Sequence, residues 1–398
     1  MPTHIAFFSF PHSTHIYPTL PIVSTLIRRG HRVTYVTSDR YASAVSELGA
    51  EVLPFSGIPD FVTLWDLWAR GAPLGLEGGR LDFHATIRIL SEVTAFYENN
   101  KPDLIIYDFM CYAGQIMSER LGIPAIQTSP TLAFDRETLA RPLQQGEFRE
   151  YFINDKSNID EFLESYGIKK TGFVRHREKL HIFLYPKALQ LDADAFDATC
   201  FYAGRCAAER SYRRTWQRKD LDRRPLVLVS SSSCFLQGPD YYKMCIDALS
   251  SLDLHVVLAI GDHNDAACLG TLPPHFEVLQ GIPQMQVMPH AALLIFHGGM
   301  VTAAEALYHG VPLLLITHGN VECEAYAEHM AQLGVGIHLR KAETNVDSIR
   351  KSAVQIVRGT EIRSMVKEMS RIVRREAGGE DTANRIEEYI ESVSTDHV

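Results

Sequence analysis

No paired cysteines mark this sequence. Its seven, Cys111, Cys200, Cys206, Cys234, Cys245, Cys268 and Cys323, are odd in number, scattered and without a C-x-x-C pair. That argues against a disulfide framework and against a zinc site, and fits a reducing cytoplasm. No run of about 18 apolar residues appears, so no membrane span is expected. The first strand pattern starts at His4, which leaves no room for a signal peptide. Basic charge is lacking too: 39 Lys and Arg stand against 48 Asp and Glu, a formal net charge of −9. Such a balance argues against a nucleic-acid surface and repels anionic membranes. The G-x-G-x-x-G fingerprint of a dinucleotide site is absent after the first strand, so no such cofactor is expected there. His309, His318, His329 and His338 have no metal-site spacing, read as structural or surface residues, and no metal is expected.

What is present is a chain of 398 residues, 46% hydrophobic and 22% charged, enough for two α/β domains of roughly 180 to 200 residues each. The most informative stretch runs from Leu293 to Gly336. Leu293 to Phe296 is an apolar run of strand length, stopped by His297-Gly298-Gly299 and followed by a helical pattern from Thr302 to His309. Gly310 and Pro312 end that helix, and Val311 to Ile316 reads as the next buried strand. Strand, glycine turn and helix start together let a ligand approach the backbone and meet free N–H groups, so a phosphate is the expected guest.

The amino-terminal half has a similar beginning. His4 to Phe10 reads as a strand, Pro11 to Tyr17 as a loop at its carboxyl end, and Leu20, Val23, Leu26 and Ile27 as the apolar stripe of a helix ended by Gly30. Arg32 to Thr37 follows as a strand, and Leu104 to Tyr107 as another with Asp108 at its carboxyl end. Ligands of open parallel sheets bind at that edge, and His15 and Asp108 both fall on it; an imidazole suits proton transfer near neutral pH, and an aspartate on its second nitrogen would orient it. At this level His12 competes with His15, a loop histidine taken alone is more often a solvated or capping residue, and Asp108 also suits a helix N-cap. Residues 54–99 read as irregular, with Phe61, Trp65, Trp68 and Phe83 either walling an apolar ligand site or packing as a helix pair. Arg136 to Leu180 reads as polar and helical, the arginine-rich Gly204 to Arg224 as a solvated connection, and Ile362 to Val393 as a charged helical tail.

The pattern HGG, Thr302, Glu305-Ala306, Gly310-Val311-Pro312, Glu322 and Gly334-x-Gly336 resembles the nucleotide-sugar signature of GT-B glycosyltransferases. Among these it is most similar to the bacterial macrolide and flavonoid-type UDP-glycosyltransferases, and with the amino-terminal pattern the resemblance covers nearly the whole chain. It implies two Rossmann-like α/β domains facing across a cleft, with a carboxyl-terminal helix crossing back to the first. The implied parts are an acceptor domain over 1–204, a linker over 205–224, a nucleotide-sugar domain over 225–375 and the returning helix over 376–398.

The activity implied is inverting, metal-independent transfer of a hexose to a hydroxyl of a small hydrophobic acceptor of natural-product or antibiotic type. His15, in register with Pro18, matches the family's general base, and Asp108 would orient it. The donor residues implied are Ser233, Ile282, Gln284, His297, Gly298, Gly299, Thr302, Glu305, Glu322 and Cys323; Trp65, Trp68 and Phe83 would line the acceptor. No cofactor is implied; the co-substrate would be UDP-glucose or a dTDP- or UDP-deoxysugar, and a homodimer is compatible. Ser232, Val301 and Cys323 depart from the family's glycine, asparagine and glutamine. The alternative they raise is a homologue with a degenerate donor site that binds a nucleotide or small apolar ligand without transferring sugar.

Overall fold

The computed structural model describes residues 2–56, 77–131, 164–167, 178–204, 206, 216–218, 223–230, 237–261, 264–280, 283–319 and 321–395; for 77–85, 321, 322 and 395 it describes the backbone alone. The chain divides into two compact units, Met1–Cys206 with Ala377–Val398, and Ala207–Glu376.

The first unit is built on a parallel sheet of seven strands: β1 (His4–Phe8), β2 (Arg32–Ser38), β3 (Glu51–Phe55), β4 (Leu104–Asp108), β5 (Ala125–Ser129), β6 (His181–Phe183) and β7 (Cys200–Tyr202). Their order is β3-β2-β1-β4-β5-β6-β7. Runs such as Leu104-Ile105-Ile106-Tyr107 are apolar on both faces because helices cover both sides. Leu20, Val23 and Leu26 of α1 (Leu20–Arg28) share one core with Ile5, Phe7 and Val33, and α2 (Asp39–Ser46) adds Tyr41 and Val45 to it. The opposite face is closed by α3 (Glu77–Asn99) and α4 (Tyr112–Leu121), through Ile89, Leu90, Val93, Ile116 and Met117. Strand order reverses between β1 and β4, so the carboxyl ends of these two strands form the unit's natural ligand-binding edge.

Three elements differ from the sequence reading, the third at the carboxyl end of the chain. The segment taken as a loop before Pro18 holds a helical turn, Ser13–Ile16, continued by a 3-10 turn, Tyr17–Thr19, into α1. Proline lacks an amide proton, which a first helical turn does not need, so Pro18 does not interrupt this run. The carboxyl-terminal part of the stretch read as irregular is the 23-residue α3; Gly78 and Gly79 obscured its period. Phe61, Trp65 and Trp68 lie outside the described residues, as does most of the polar stretch 136–180.

The second unit repeats the plan with six parallel strands: β8 (Leu226–Ser230), β9 (His255–Ala259), β10 (Phe276–Leu279), β11 (Ala291–Phe296), β12 (Leu313–Ile316) and β13 (Gly336–Leu339). The order is β10-β9-β8-β11-β12-β13, and the reversal falls between β8 and β11. Around the sheet lie α5 (Pro239–Leu249), α6 (Met300–His309), α7 (Val321–Gln332), α8 (Val346–Arg358) and α9 (Glu361–Arg375). The tail read as one helix is two, because Ala377-Gly378 separates α9 from α10 (Gly379–Thr395). The last helix belongs to the first unit: Ala383, Ile386 and Tyr389 enter the core beside Leu26, and Arg29 pairs with Glu380 and Glu387 at 2.7 and 2.6 Å. Among the described residues no helix is long and apolar enough to cross a membrane.

Candidate functional site

At the switch point of the first unit the chain leaves β1, passes Phe10 and folds into the turn Ser13–Ile16. His12 caps this turn, its ring Nδ1 accepting from the Thr14 amide, and His15 sits inside it. His15 Nδ1 lies 2.8 Å from Asp108 Oδ2, with both side chains buried. Asp108 is fixed in turn, since it ends β4 and its Oδ1 accepts from the Met110 amide at 2.9 Å. A carboxylate can only accept, so the neutral imidazole carries its proton on Nδ1 and presents a lone pair on Nε2. The ring is framed by Phe109, stacked at 5.9 Å, by Phe10 at 5.2 Å and by the edge of His12 at 5.8 Å. Such a pair can remove a proton from a hydroxyl that reaches Nε2, and the apolar frame suits an apolar body on that hydroxyl.

In the second unit β11 ends at Phe296, and His297-Gly298-Gly299 turn the chain into α6. Each glycine has a physical reason. Gly298 has φ +102°, a left-handed conformation that side chains resist. At Gly299 a Cβ would lie 2.7 Å from Nε2 of His297, so the second glycine makes room for the imidazole. The first helical amide with an intrahelical partner in α6 is that of Ala303, bonded to Gly299 at 3.0 Å. The amides of Met300, Val301 and Thr302 precede it and, with the helix dipole, favour an anion at this end. Burial, with the nearby His318, depresses the His297 pKa to about 3, so the ring is neutral near pH 7 and offers a hydrogen bond rather than a charge.

Further along α6, Glu305 is only 1% exposed and accepts a hydrogen bond from Nε2 of Gln284 at 2.7 Å. The structure therefore brings together two residues that lie 21 positions apart, a pairing that neither position announces. Val301 is buried in the interior and Cys323 is buried in the first turn of α7, while Thr302 is partly exposed. Ser232, Ser233 and Ile282 lie outside the described residues; for Phe83 and Glu322 only the backbone is described, in α3 and α7. The influence of His318 on His297 was not foreseen. It follows β12 as His297 follows β11, and these strands are neighbours, so the rule of the carboxyl edge could have found it.

Comparison with known proteins bears on both units. Residues 243–389 match the family described as erythromycin biosynthesis protein CIII-like, C-terminal domain. The NDP-glycosyltransferase YjiC of Bacillus subtilis (strain 168) is 31% identical, over 97% of this chain and 97% of that protein. The oleandomycin glycosyltransferase of Streptomyces antibioticus is 30% identical, over 97% of this chain and 90% of that one. Among solved structures the calicheamicin glycosyltransferase CalG4 superposes with a TM-score of 0.81 at 29% identity, covering 99% of each chain.

Proposed function

The chain belongs to the GT-B glycosyltransferases that use nucleoside-diphosphate sugars, and from that premise we propose inverting transfer to a hydroxyl of a small hydrophobic acceptor, with His15 as general base. The observation that carries this reading is the buried contact of 2.8 Å between His15 Nδ1 and Asp108 Oδ2. The acceptor hydroxyl gives its proton to His15 Nε2, and its oxygen attacks the anomeric carbon of the donor. The bond from that carbon to the diphosphate breaks on the opposite side, and the diphosphate leaves with the electron pair. Asp108 keeps the reactive tautomer and stabilises the imidazolium that forms.

Charge accumulating on the leaving diphosphate is met by the start of α6, with the amides of Met300 to Thr302 and the neutral His297 as donors. These groups neutralise the diphosphate without a metal. Glu305, held by Gln284, is suited to accept from ribose hydroxyls. Cys323 stands where the family has an amide, and a thiol is a poor partner for a sugar hydroxyl. Losing one such bond costs about 0.5 to 1.5 kcal/mol, which favours a donor lacking that hydroxyl, a deoxysugar.

Two variants test the reading together. His15→Ala should abolish transfer while UDP or dTDP still binds in calorimetric titration, and Glu305→Ala should lose the nucleotide. Full transfer by the His15 variant would sink the general-base assignment. Failure of UDP, dTDP and their glucose conjugates to bind the wild type would favour the degenerate donor site instead.

A further inference from the structure

The turn that carries His15 is tied down from beneath by three buried hydroxyls. The phenol of Tyr35, on β2, lies 2.6 Å from Ser9 Oγ and 2.8 Å from Thr19 Oγ1. Thr19 Oγ1 in turn donates to the carbonyl of Ile16, the residue after His15, at 2.8 Å. Each hydroxyl has one proton, and the carbonyl at the end can only accept, so the direction of the whole chain is fixed. Thr19 spends its proton on Ile16; Tyr35 must therefore donate to Thr19, and Ser9 must donate to Tyr35. All three residues are buried, so none can exchange its partner for bulk water without opening the turn.

The Tyr35 ring is itself immobilised. It is paired in register with Phe7 of β1 and stacks on that side chain at 5.5 Å with an interplanar angle of 4°. Burial holds its phenol well above the ordinary tyrosine pKa, against the opposing hydrogen bonds of Ser9 and Thr19, so it keeps the proton the chain requires. The sheet thus fixes Tyr35, Tyr35 fixes Thr19, and Thr19 fixes the carbonyl next to His15. The series of hydroxyls ends on the backbone, at the Ile16 carbonyl, and not on the imidazole.

We propose that Tyr35 is a positioning residue for sugar transfer, which acts through Thr19 and the Ile16 carbonyl to hold His15 on Asp108. This rests on the assignment of His15 as general base. Displacing a catalytic group by a fraction of its reach is costly, and a 1 Å misplacement costs on the order of a hundredfold in rate. The nucleotide site lies in the other unit, so donor binding should not respond.

The experiment compares Tyr35→Phe, Thr19→Val and Thr19→Ser with wild type and His15→Ala, using a nucleoside-diphosphate sugar and a phenolic acceptor that the wild type turns over. Tyr35→Phe and Thr19→Val should each lower kcat by about ten- to a hundredfold, with donor KM unchanged. Their combination should cost no more than either alone, because both break one chain. Thr19→Ser, which keeps the hydroxyl, should transfer at nearly the wild-type rate. Wild-type kcat in Tyr35→Phe and Thr19→Val, with His15→Ala inactive, would overturn the positioning role alone. An active His15→Ala would overturn the base assignment beneath it. If Tyr35→Phe fails to fold, Thr19→Val against Thr19→Ser decides: equal rates in those two reject the proposal.

Discussion

Asp108 performs two tasks with two oxygens, and a single substitution separates them. Oδ2 faces His15 and Oδ1 accepts from the Met110 amide. In Asp108→Asn only one oxygen remains, and the Met110 amide needs it because its own proton cannot face an amino group. The new NH2 is then left against His15 Nδ1, which must accept rather than donate, so the ring proton moves to Nε2. An imidazole protonated on Nε2 cannot take the acceptor's proton. Asp108→Asn should therefore lower kcat by about 10² to 10⁴ while leaving nucleotide affinity unchanged. Steady-state kinetics beside a nucleotide titration checks it, and a loss below tenfold would mean that the tautomer is set by something else.

At the scale of the element, the turn between β11 and α6 is a strand, two glycines and a helix start whose geometry is forced locally. Gly299→Ala places a Cβ against the His297 ring, where 2.7 Å of separation is too little, so the imidazole must swing away. We expect diphosphate binding to weaken about ten- to a hundredfold, as for loss of a hydrogen bond to a charged group. Calorimetric titration with UDP measures this, and an unchanged affinity would remove His297 from the phosphate site. Elements of this kind were legible in the sequence. The order of apolar run, HGG and helix pattern spans only 17 residues from Leu293 to His309 and rests on backbone rules alone. Asp108 was legible for the same reason, as the residue that ends an apolar run. What stayed hidden depends on register or distance. The contact of Gln284 with Glu305 and the hydroxyl chain from Ser9 through Tyr35 to Thr19 arise only when separate elements are laid side by side. The helical turn around His15 was hidden because Pro18 fits a first helical turn, which set the helix start there and left Ser13–Ile16 in the loop before it.

At the scale of the whole molecule, burial of neutral histidines in both units makes acid a common threat. His4 in the first unit and His309 in the second have pKa values lowered, chiefly by burial, and that of His297 falls to about 3. A group whose pKa is depressed on folding leaves the unfolded chain holding more protons once the pH drops below its ordinary value of 6.5. Its contribution is therefore intact above pH 6.5 and is lost progressively as the pH falls toward the folded value. Carboxylates obey the same sign but lower down: Glu380, held below 4.5 by hydrogen bonds from Arg28 and Arg29, keeps its contribution above that point and loses it only as the pH falls further. Between pH 6.5 and 4.5 His297 therefore loses its contribution before Glu380 does. Across that interval the melting temperature of the wild type should fall, and that of His297→Gln, whose side chain does not titrate, should fall less steeply. Calorimetric melts at half-unit steps compare the two slopes. Parallel slopes would mean that His297 does not stay neutral inside the fold, and the phosphate site would then meet its ligand with a charge instead of a hydrogen bond.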